Sequence, residues 1–128
     1  MTFQIPAHWR VFVLDDTAER LEWFHDRLPN MQSATTAEAA IEILAVETFD
    51  MIFLDHDLTW MDAGFPDRQH GNGKEVARFL ARTKFTGKIV IHSKNELGVK
   101  AMAKLLPAAE IARYGDFEIV TVRPAGAR

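Results

Sequence analysis

Two short apolar runs, Val11-Phe12-Val13-Leu14 and Met51-Ile52-Phe53-Leu54, each stop at carboxylates: Asp15-Asp16 after the first, Asp55 and Asp57 after the second. Runs this short, apolar at nearly every position, suit central parallel strands that are buried on both faces. The acidic residues then mark where each strand leaves the core for a loop. A chain that does this twice is constrained to a layered sheet with its charged groups gathered at one edge.

The intervening segments supply the covering layers. Ala18, Leu21, Trp23, Phe24 and Leu28 recur at helical spacing before Pro29, which predicts a first helix over residues 17–28. Met31 to Thr35 is a weak strand, and Thr35-Thr36-Ala37-Glu38 has the capping-box spacing that opens a second helix ending near Glu47. Val76, Ala77, Phe79 and Leu80 mark a third helix, and the Thr86-Gly87 turn leads into a strand, Lys88 to Ile91. A fourth helix is expected from Glu96 through Leu106, and a last strand from Phe117 to Val122. This alternation predicts one α/β domain over residues 1–128, a doubly wound sheet of five parallel strands. In such sheets ligands bind at the C-terminal strand ends, where every polar cluster of this sequence falls.

Composition narrows the chemistry. Of 128 residues, 48% are hydrophobic, enough for one covered core. The 18 Asp and Glu outnumber the 15 Lys and Arg with no basic block, which disfavours a nucleic-acid duplex as partner. Cysteine is absent, so disulfides, thiolate metal sites and a Cys nucleophile are excluded. No apolar run approaches the length of a membrane span, and residues 1–10 lack the pattern of a signal peptide; a cytoplasmic protein is the expectation.

Asp15, Asp16, Asp55 and Asp57 would crowd carboxylates whose mutual repulsion calls for a hard divalent cation, Mg²⁺ or Mn²⁺. Each alone also reads as a helix cap or turn residue; it is their joint placement at two strand ends that points to metal. His92-Ser93-Lys94-Asn95 brings an imidazole, a hydroxyl, an ammonium and an amide to a third strand end, suited to phosphate oxygens and proton transfer. Ser93 or Asn95 also fits as a plain N-cap. Strand alternation points His56 away from Asp55. Arg123, just past the last strand, is a candidate for phosphate, and the long segment between Leu58 and Gly73, with His70, reads as a loop of lid length.

Over most of its length the sequence resembles the receiver domains of two-component response regulators, a flavodoxin-like fold. Val11-Phe12-Val13-Leu14-Asp15-Asp16 is similar to the first strand with its acidic pair, and Phe49 to Asp55 to the third strand with its phosphoacceptor; Ser93 approximates the hydroxyl position. Three features depart from that pattern: Arg123-Pro124 stands in place of Lys-Pro, the loop before the third helix is expanded, and six residues after Val122 are too few for a last helix. Leu54-Asp55-His56-Asp57-Leu58 and His92-Ser93-Lys94-Asn95-Glu96-Leu97-Gly98 more closely resemble the cyclic-phosphate-processing receiver-like family, with its LDHDL and HSxNxxG motifs.

That resemblance implies metal-dependent binding or hydrolysis of a cyclic phosphate, a phosphate-containing small molecule, with nucleotide-derived ones among the candidates. Asp55, His92 and His56 are then the catalytic candidates, with Asp15, Asp16, Asp55 and Asp57 for metal and Ser93, Lys94, Asn95 and Arg123 for phosphate. The alternative is a phosphorelay receiver phosphorylated on Asp55 by a partner kinase. With no last helix, one sheet face is expected to be covered by the first helix with Phe3 and Ile5, or by the second subunit of a homodimer.

Overall fold

A computed structural model describes residues 1–58 and 72–123. Its strands are β1 (Thr2–Pro6), β2 (Val11–Leu14), β3 (Gln32–Ala34), β4 (Met51–Leu54), β5 (Lys88–Ile91), β6 (Glu110–Ile111) and β7 (Glu118–Val122). The helices are α1 (Ala18–Arg27), α2 (Ala37–Val46), α3 (Gly73–Arg82) and α4 (Glu96–Leu105). Five strands form a wholly parallel sheet in the order β3-β2-β4-β5-β6, so the strand order reverses beside β2 and β4. The expected doubly wound architecture is present.

One element of that expectation is corrected. The fifth sheet position belongs to the two-residue β6, and the segment expected there, β7, pairs in parallel with β1 in a separate two-stranded sheet. Register runs from Thr2 opposite Glu118 to Pro6 opposite Val122. Glu110-Ile111 carries no periodicity to read; it becomes a strand because the exposed edge of β5 offers it hydrogen bonds.

Alternation along each strand sorts the core into two layers. Phe12, Leu14, Ile52, Leu54, Ile89 and Ile91 face α2, α3 and α4, while Val11, Val13, Met51, Phe53 and Val90 face α1 and the β1–β7 pair. On that second face Phe3 and Ile5 are buried with Phe24, Phe117 and Ile119, so the first helix and the N-terminal residues do cover it, now with β7 as their partner. Phe53 stacks on Phe117 at 5.9 Å and Phe3 meets both rings edge-on. Aromatic area of this kind closes that face of the sheet among the described residues.

Helix starts are set by side chains. Thr36 accepts from Ala39 N, one residue later than the capping-box reading placed the cap; Asn72 accepts from Lys74 N, and Asn95 accepts from Gly98 N. The lid-length loop, with His70, lies outside the described residues, as do residues 124–128.

Candidate functional site

Backbone hydrogen bonds continue past the strand ends and fix the site. Asp15 N donates to Ala34 O, Asp55 N to Leu14 O, His92 N to Leu54 O and Tyr114 N to His92 O. Four side chains thereby stand side by side along the C-terminal edge. Because Leu14, Leu54 and Ile91 face α2–α4, alternation turns Asp15, Asp55 and His92 toward α1.

The three are buried, and one ligand atom from each lies within 4.8 Å of the others. Asp15 accepts from Thr17 N through Oδ1 at 2.9 Å and from His92 Nε2 through Oδ2 at 2.8 Å. Asp55 accepts from His56 N at 2.9 Å. Burial pushes the Asp55 carboxyl up to about 6, with Asp15 and Asp16 adding to the shift while His92 and Arg20 oppose it. Half-buried Asp16 is also raised, first by burial and then by Asp15. A cluster whose negative charges are this poorly compensated, with oxygen donors from two strand ends, fits a hard divalent cation held by Asp15 and Asp55, with Asp16 adjacent.

His92, a catalytic candidate from the sequence, lies inside the buried cluster. It is fully enclosed against Phe24 and Phe53, its Nε2 is committed to Asp15, and its Nδ1 has no hydrogen-bond partner among the described residues. It orients Asp15. Ser93 is buried with its hydroxyl accepting from Asn95 N, which leaves its proton to donate, and Lys94 is exposed at the rim.

On the other side of β4, His56 points toward α4, as alternation required. Its Nδ1 lies 2.8 Å from Asp57 Oδ1, and Asn95 Nδ2 donates to the same oxygen at 2.9 Å. Asp57 therefore serves this triad and lies outside the buried cluster of Asp15, Asp55 and His92. Burial alone would raise its carboxyl, yet the hydrogen bonds from His56 and Asn95 outweigh it and hold the group below the usual range. Gly98 is where the His56 ring sits: a Cβ there would lie 2.3 Å from His56 Cγ. The spacing of the HSxNxxG run is thus mechanical, with Asn95 capping α4 while reaching Asp57 and Gly98 making room for His56.

Arg123 is not brought to the carboxylates. It borders a cavity with Pro6, Trp9, Val11 and Met31, at the N-terminal end of the main sheet and away from the carboxylates. The reason is topological: β7 runs beside β1, whose end leads directly into the start of β2. Among the described residues the cation that does reach the acids is Arg20 of α1, with Nη1 3.8 Å from Asp15 Oδ2 and 3.9 Å from Asp55 Oδ2. Its guanidinium also lies over the Tyr114 ring at 4.8 Å. A single Arg on a helix face carries no sequence signal beyond its place in the first turn after the acidic pair.

A parallel α/β sheet carrying clustered carboxylates at its switch point defines a receiver-type domain with an acidic site. The model of the cyclic-phosphate processing receiver domain matches residues 10–108, and the chain belongs to that family. Among solved structures it is similar to the beryllofluoride-activated DrrB receiver domain, at 17% identity and TM-score 0.64 over 84% of this chain and 85% of that one. It is also similar to the response regulator TrrA from Thermotoga maritima in complex with Mg²⁺ and beryllofluoride, at 19% identity, TM-score 0.60, and 88% and 85% coverage. The receiver domain of Francisella response regulator 1452 matches at 13% identity and TM-score 0.60, over 88% of this chain and 84% of that one. At these identities the likeness establishes the fold. No curated protein matches the sequence. No described helix is long and apolar enough to cross a membrane.

Proposed function

We propose that this domain binds a cyclic phosphate in a metal-dependent manner and opens its ring by hydrolysis. The observation that carries the reading is the buried trio of Asp15, Asp55 and His92 beside the His56–Asp57–Asn95 triad, two polar groups on either side of one strand end. Asp15, Asp55 and Asp16 would hold Mg²⁺ or Mn²⁺, which when bound polarises a phosphoryl oxygen and lowers the pKa of a ligated water.

The chain's own residues divide the remaining work. His92 fixes the rotamer of Asp15 through a bond closed off from solvent. Asp57 accepts from His56 Nδ1, which leaves Nε2 of His56 as the basic nitrogen and makes His56 the better candidate for moving a proton. Ser93 and Lys94 supply donors to phosphate oxygens at the adjoining strand end. The substrate class is a cyclic phosphodiester, with 2′,3′-cyclic nucleotides as the first candidates.

Phosphorus NMR of the protein with Mg²⁺ or Mn²⁺ and a panel of cyclic phosphates tests the reading, with Asp55→Asn alongside. Ring opening by the native protein and its loss in the variant is the expected result. No turnover across the panel, together with labelling of Asp55 by acetyl phosphate, would replace hydrolysis with a phosphoacceptor role served by a kinase.

A further inference from the structure

We infer that Arg20 is the anion-recognising residue of this site: it pairs with Asp15 and Asp55 in the metal-free protein and turns to the phosphate once a cation neutralises them. The inference deepens the proposed function and rests on its metal-and-phosphate reading of the carboxylates.

Arg20 stands almost equally far from two buried carboxylates, 3.8 Å and 3.9 Å, close enough for charge attraction and beyond hydrogen-bond length. Among the described residues its guanidinium makes no side-chain hydrogen bond, so none of them occupies its donors. With its side chain 23% exposed, it sits between the enclosed acids and solvent, where an incoming ligand arrives. A planar guanidinium is always charged and matches two phosphate oxygens at once, which an ammonium does not.

Tyr114 makes the placement specific. Its backbone is tied to His92 O at 3.0 Å, the same strand end that carries the site, and its ring packs edge-on against Trp23 at 5.5 Å. The Arg20 guanidinium lies over that ring at 4.8 Å, and Lys94 Nζ lies 6.0 Å from its centre. An aromatic seat holds a cation by its face while leaving the N–H edges directed elsewhere, so Arg20 can change anionic partner without leaving its seat.

Two consequences have opposite sign. A fixed positive charge beside Asp15 and Asp55 competes with a metal ion, so its removal tightens cation binding; the same removal deprives a bound phosphate of its bidentate partner. Calorimetric titration of the full chain with Mg²⁺, and then with inorganic phosphate at saturating Mg²⁺, reads both. Arg20→Gln is expected to bind Mg²⁺ about three-fold or more tighter and phosphate about ten-fold or more weaker. Arg20→Lys, which keeps the charge, should leave Mg²⁺ affinity near the native value and lose less phosphate affinity; it carries the test if Arg20→Gln does not fold. Tyr114→Leu should weaken phosphate by a smaller factor than Arg20→Gln.

Unchanged phosphate affinity in Arg20→Gln overturns the inference. A parallel fall in both affinities also overturns it, because that marks a structural residue, and so does a native protein that binds no phosphate in Mg²⁺. Opposed shifts without turnover of any cyclic phosphate would remove the proposed hydrolysis and leave the role of Arg20 standing.

Discussion

The two ends of the parallel sheet treat the same residue types in opposite ways. At the N-terminal end Arg10 donates from its backbone N to Asp50, from one guanidinium nitrogen to Thr48 O and from the other to Glu47, which also accepts from Gln32. Arg10, Thr48 and Asp50 are exposed, with Gln32 and Glu47 half-buried, and the hydrogen bonds from Gln32 and Arg10 hold the Glu47 carboxyl below its usual range. At the C-terminal end Asp15 and Asp55 are enclosed, and burial drives Asp55 upward to about 6. One set of charges is satisfied by the protein alone. The other is enclosed, with the ionised form of Asp55 disfavoured by burial, an arrangement that a bound cation would relieve and that marks a candidate site.

The largest effect expected from sharpening this contrast is on turnover. Asp55→Asn keeps an acceptor for His56 N but removes a charge, and should lower cyclic-phosphate hydrolysis about a hundred-fold or more in a metal-dependent assay. The same variant, metal-free at neutral pH, should be more stable to urea unfolding by about 1–3 kcal/mol, and its melting temperature should no longer rise with Mg²⁺. A metal-free variant less stable than the native protein would break the comparison.

Backbone crowding comes next. Gly73 opens α3 against β4's end, its N donating to His56 O, and a Cβ on it would stand 2.0 Å from Asp55 O. Since the obstacle is main chain, Gly73→Ala should cost about 3 kcal/mol in chemical unfolding. Gly98→Ala meets a side chain that can swing, so the expected cost is smaller, about 1 kcal/mol, accompanied by loss of the His56–Asp57 contact in histidine NMR.

The pH dependence has a definite sign. The carboxyl of Asp55 titrates at about 6 when folded and near 3.8 otherwise, so between these values the folded state holds the extra proton. Stability from this group is therefore full below about pH 4 and lost as pH rises through about 6, a fall of at most about 3 kcal/mol. Unfolding followed across this range should show the decline in metal-free protein and a flattened curve in Asp55→Asn. The smallest effect belongs to the opposite end: Glu47→Gln should shift melting little and leave the Mg²⁺ response unaltered, because an exposed pair is screened by solvent.

Much of the site was legible because its markers are local. A buried strand announces itself by an apolar run, and its exit by the carboxylates that follow; hence Asp15, Asp16 and Asp55 could be placed at one edge from sequence. His56 could be turned away from Asp55 by alternation alone. The Asp57 carboxylate could not be separated from the metal cluster in this way, since its partner Asn95 caps α4, far along the chain, and only proximity reveals it.

Apart from β6, the chain by itself determined which segments are helix and strand in the main sheet, the order in which they alternate, and the edge at which its acids collect, because each depends on spacing within a few residues. Tertiary structure alone decided that β7 leaves the main sheet for β1, that a two-residue strand takes the edge beside β5, that Arg123 falls at the far end and that Arg20 arrives beside Asp15 and Asp55. Those outcomes depend on which hydrogen-bonding edges and charges meet through space, and neither propensity nor periodicity records a distance between elements far apart in sequence.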